Sequence, residues 1–117
     1  MTDAKDLERA FARIVQLVDQ RGLPGVSRSS GASPALLVAD STLAELQDET
    51  VLALACPRHQ KVLLMDISPK VYFETEQQIG QNIVLVHLDK IDDEELSLRL
   101  HDAWEYVAPD NLRKYVD

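Results

Sequence analysis

The chemistry-bearing side chains of this 117-residue chain are few, and each group's spacing can be set against what a reaction would need. Cys56 and His59 stand three residues apart at the head of what reads as a helix, whose dipole would lower a thiol pKa, so the pair could form a nucleophile. Cys56 reads more simply as a small apolar side chain buried at a strand end, because free cysteine is among the most buried residue types. Glu74 and Glu76 fall on the same face of one strand, where two carboxylates could bind a metal or share acid-base work. No histidine is tied to them by spacing, and we read a solvated sheet face. The run Asp92-Asp93-Glu94-Glu95 lacks the glycine and alternating ligands of a calcium loop. His59, His87 and His101 fall on a short helix, a strand and a later helix, with neither H-x-x-x-H nor a cysteine partner at zinc spacing. Gly22, Gly25, Gly31 and Gly80 allow neither G-x-G-x-x-G nor G-x-x-x-x-G-K. These readings assign no catalytic, cofactor-binding or metal-ligating residue, and the expectation is a protein that is not an enzyme.

Basic residues form one candidate group. Arg58, Lys61 and Lys70 lie around the middle helix, with Arg28 reachable from a serine-rich loop, and a winged DNA reader could set such side chains on phosphates. Against them stands the whole-chain balance of 12 Lys and Arg to 20 Asp and Glu, a formal net charge of −8. Such a surface repels phosphate backbones at long range. With one cysteine there is no internal disulfide, and no apolar run of signal-peptide length follows Met1, so a cytoplasmic protein is expected. Every apolar run is far shorter than the roughly 20 residues that span a bilayer, and no membrane role is expected. At 45% hydrophobic content, residues 1–117 read as one domain.

The elements that must position these residues follow from periodicity. Residues 92–109 give the clearest helix: Asp92 as cap, Glu95 reaching back in a capping box, and Leu96, Leu100, Ala103, Trp104 and Val107 on one stripe about 25 Å long, ended by Pro109. Its stripe predicts a lid over an apolar sheet. Residues 3–20 make a second amphipathic helix through Leu7, Ala10, Phe11, Ile14 and Val18, capped by Asp3 or Asp6 and stopped at Arg21-Gly22. After the rigid turn Leu23-Pro24-Gly25, residues 27–33 read as a loop or an edge strand. Residues 34–40, 42–47 and 50–56 have strand length and are separated by Asp40-Ser41 and Asp48-Glu49, the pattern of an antiparallel meander. A short helix is expected over 58–66, closed by Ser68-Pro69. Val71, Phe73 and Thr75 then alternate with Tyr72, Glu74 and Glu76 as a half-buried strand, residues 77–81 form a polar loop, and residues 82–88 form the clearest strand. Leu112, Tyr115 and Val116 can dock as one more helical turn. The order predicts an α+β domain, an antiparallel sheet flanked by N- and C-terminal helices.

Several pieces in that order resemble the MmcQ/YjbR family of small bacterial domains. They are Leu23-Pro24-Gly25, Pro34-Ala35, Cys56-Pro57, Pro69 with Phe73, Gly80 ahead of the Val84, Val86, Leu88 strand, and Ala103-Trp104 with Ala108-Pro109. The resemblance implies a helix-flanked sheet of the secretion-chaperone and double-wing type, and DNA as partner. Where relatives commonly place Arg or Lys in the strands, this chain has Leu37, Ser41, Ala55 and His87. The alternative expectation is an acidic protein-interaction or chaperone-like module, monomer or homodimer, that uses an exposed sheet face carrying Leu37 and Ala55.

Overall fold

The computed structural model describes residues 4–29 and 33–113. Helix α1 (Ala4–Arg21) leads into strands β1 (Val26–Ser29), β2 (Ala35–Val38), β3 (Ser41–Leu46) and β4 (Val51–Ala55). Helix α2 (Arg58–Ile67), strands β5 (Tyr72–Phe73) and β6 (Ile83–His87), helix α3 (Asp93–Val107) and the short α4 (Asp110–Arg113) complete it. The strands form one antiparallel sheet in the order β1-β2-β3-β4-β6-β5. This is the α+β architecture expected from the sequence, and the serine-rich segment supplies the edge strand β1. The proposed Asp3 cap and the docking of Tyr115 and Val116 lie outside the described residues.

Alternation along the strands separates two faces. Leu36, Val38, Leu46, Leu52, Leu54, Tyr72, Val84 and Val86 face the helices and build the core with Ile14, Leu17 and Val18 of α1 and Leu96, Leu100, Ala103 and Trp104 of α3. A bulge sharpens that core: Leu36 pairs with Ala44 while Leu37 pairs with Thr42, so Leu43 is the extra residue and is buried together with Ala44. Trp104 is fully buried, and its indole N–H donates to the Pro24 carbonyl at 2.9 Å, which fixes the turn after α1 against the lid helix. Arg13 of α1 makes a second tie, donating to Asp93 at 2.7 Å and to the carbonyls of Leu88 and Ile91.

Most described helix ends match their residues, although Asp6, the alternative cap expected for α1, lies inside its first turn. Gly22 adopts φ +65° and its N–H returns to the Val18 and Asp19 carbonyls, closing α1. Asp92 accepts from the Glu95 N–H at 2.8 Å, as a cap should. Glu95 does not reach back as a capping box requires, because its carboxylate accepts from the Tyr72 hydroxyl instead. The strand expected over 71–76 shortens to Tyr72–Phe73, and Tyr72, paired with Val86, is its core-facing residue.

Candidate functional site

The four basic candidates do not share a surface. Lys61 is 3% exposed, on the inward face of α2. Its ammonium donates to the carbonyls of Gln78 and Gln81 at 2.9 and 2.8 Å and pairs with Glu74 at 2.8 Å. It clamps the 74–81 loop to α2, so the expectation of a phosphate contact at Lys61 is corrected. Arg58 and Lys70 are exposed at opposite ends of α2, about 15 Å of helix apart, with Arg58 close to the Gly80 carbonyl. Arg28 sits on edge strand β1, five strand spacings or roughly 24 Å across the sheet from β5, and lines a groove of about 600 Å³ with Phe11, Val15 and Asp19 of α1. Lys70 borders a different hollow, about 500 Å³, with Ile67, Val71 and Lys90.

The candidate catalytic groups are likewise held apart or engaged. Cys56 is 4% exposed, and burial pushes its thiol up to about 11, with Lys61 and Arg99 opposing the shift. A raised thiol pKa leaves little thiolate at neutral pH. His59 is exposed on the outside of α2, and no hydrogen bond joins it to Cys56 among the described residues. Burial, then the bond to Glu95, pushes the Tyr72 phenol up in the same way. Glu74 is partly exposed and pairs with Lys61, not with Glu76, which is exposed beyond the end of β5. His87 stacks on Phe73 at 4.1 Å, and His101 lies between Arg21 and Glu105. Among the described residues no group of three His, Cys, Asp or Glu side chains is placed to hold a metal ion, and no helix is long and apolar enough to cross a membrane.

What remains is the face of the sheet turned away from the helices. Strand parity and pairing place Leu37, Thr42, Glu45, Ala53, Ala55, Ile83, Leu85, Phe73 and His87 there. Leu85 is buried yet outside the core, as expected for an apolar residue covered by its neighbours on the opposite side of a sheet. None of these residues is Lys or Arg, and Glu45 is the one carboxylate among them. Near the middle the small side chains of Ala53 and Ala55 leave a hollow of about 160 Å³, walled by Thr42, Glu45 and Ile83. The sequence pointed to Leu37 and Ala55; it did not point to Glu45, Ala53 or Ile83, although period-two alternation from Ala55 back to Ala53, and across the register to Ile83 and Glu45, carries that information. A second apolar surface lies on α2, where Val62, Leu63 and Ile67 are each more than half exposed.

The fold has a solved neighbour. The crystal structure of Deinococcus radiodurans protein DR2400, a DUF419 domain, superposes with a TM-score of 0.66 at 16% sequence identity, over 86% of this chain and 82% of that one. DUF419 belongs to the YjbR/MmcQ-like clan, so the shared architecture is the one that the motif order implied. At that identity the likeness is one of fold. No family model matches the sequence, and no curated protein matches it.

Proposed function

We propose that this chain is a distant member of the MmcQ/YjbR group that acts in the bacterial cytoplasm as a non-catalytic protein-binding module, engaging its partner through the open face of the sheet. The observation that carries the reading is the composition of that face: Leu37, Ala53, Ala55, Ile83 and Phe73 around Thr42, Glu45 and His87, without a lysine or arginine among them. An apolar sheet surface left without a helix is where a second protein gains burial. DNA, the partner that the family resemblance implies, requires cations converging on phosphates, whereas Arg28, Arg58 and Lys70 stand at separate sites and Lys61 is enclosed.

The test pairs two measurements. Affinity capture with the wild-type protein and with Ala55→Arg, which sets a long cation on the open face, is expected to give a partner that the variant loses at an unchanged unfolding midpoint. Anisotropy of a labelled random duplex, from about 50 to about 200 mM salt, is expected to stay flat. Saturable duplex binding that weakens with salt, or a partner held equally by the variant, overturns the reading.

A further inference from the structure

The hollow on the open face has a definite chemistry. Glu45 and Ala53 are directly opposed in the β3–β4 register, and Ala55 is opposed to Ile83 across β4 and β6. Opposed residues sit about 5 Å apart. A floor of alanine methyls, flanked by an isoleucine, therefore lies beside one carboxylate, with the Thr42 hydroxyl on the same wall. Glu45 is partly buried, and among the described residues it forms no ion pair; its carboxylate accepts a long hydrogen bond from the Gln47 amide at 3.5 Å. A carboxylate partly withdrawn from water, facing methyl groups and lacking a cation, is an incomplete arrangement.

We infer that this hollow seats one lysine or arginine side chain of the bound protein, its aliphatic stem on Ala53, Ala55 and Ile83 and its charged head at Glu45. The inference rests on the protein-binding reading of the same face. Three observations select this occupant. The volume, about 160 Å³, is of the size that holds one side chain rather than a cofactor. Basic side chains lay their methylene stems along apolar surface while the head finds polar atoms, which is the order of chemistry along the hollow. Among the described residues the face offers no cation of its own, and the chain carries a net charge of −8, so an approaching cation is favoured both at the contact and at a distance. An anionic side chain would meet Glu45 with like charge, and an aliphatic one would leave its carboxylate unpaired.

The experiment uses N-butylguanidinium as a stand-in for the arginine side chain, with butanol as the neutral control, titrated into the full chain while the methyl resonances of Ala53, Ala55 and Ile83 are followed by NMR. Saturable shifts confined to those methyls, absent with butanol and about three- to tenfold weaker in Glu45→Gln, are expected. Equal responses in the wild type and in Glu45→Gln, or shifts scattered over other carboxylates with none at the alanines, overturn the inference. The substitution is isosteric and half-exposed, and an unchanged methyl spectrum of the free variant verifies its fold. The two proposals fail separately. A partner that depends on Ala55 with no cation seated removes the hollow's role and leaves the interface; a seated cation with no partner sensitive to Ala55 does the reverse.

Discussion

Lys61 is a cation enclosed where the neighbouring sequence suggests a solvated one. Its three partners are two loop carbonyls and Glu74, so removing the ammonium strands acceptors that water reaches poorly. Lys61→Met, which keeps the stem and removes the head, is expected to lower stability by about 1–3 kcal/mol in urea unfolding, and Glu74→Gln by less, since Lys61 then keeps both carbonyls. At this scale the sequence was informative where residue type and period agree. Asp92 before an apolar stripe and Trp104 within it both read correctly because a cap and a core aromatic each have a local signature. Lys61 did carry a signal, since it stands three and four residues before Leu64 and Met65 and so shares their inward face. Side-chain charge pointed outward and outweighed it. The carbonyls that make burial tolerable come from residues 78 and 81, in a polar loop whose position no periodicity encodes.

The connections between elements depend on two glycines with different surroundings. Gly22 and Gly25 both have positive φ, but a Cβ at Gly22 would enter open space, whereas one at Gly25 would lie 2.6 Å from a Leu112 side-chain carbon. Gly22→Ala should therefore show backbone strain alone, about 1–2 kcal/mol, and Gly25→Ala that strain plus a shift of the Leu112 side chain. Comparing thermal midpoints, together with methyl shifts of Leu112 that move in the second variant and not in the first, checks the distinction. Element boundaries were largely legible: α1, α2 and α3 each begin and end within a residue or two of the periodic pattern. The 71–76 segment was not, because alternation continues through Thr75 and Glu76 after the chain has left β6, which itself runs on to Ile83. Pairing is a property of two chain segments, and one segment's pattern cannot announce where the two part. The bulge at Leu43 was hidden for a similar reason.

Over the whole molecule, charge and apolar surface divide the labour. A net charge of −8 on 117 residues opposes compaction by self-repulsion as well as repelling polyanions. Raising ionic strength from about 0.01 to about 0.15 M shortens the screening length from roughly 30 to 8 Å, and the urea midpoint is expected to rise with it, by less than about 1 kcal/mol in stability. A midpoint that falls would mean that attractive pairs such as Arg13 with Asp93 outweigh the repulsion. The sheet itself forms a partition: helices and core on one side, the proposed docking surface on the other. Trp104, the chain's single tryptophan, lies wholly on the core side with its indole nitrogen already engaged by Pro24. Its intrinsic fluorescence is therefore a built-in gauge of the core alone, blue-shifted while the lid helix is seated and red-shifted when it lifts. Ligands docking on the far side should leave that emission silent, so a change in colour during any titration would report opening of the core rather than occupancy of the face.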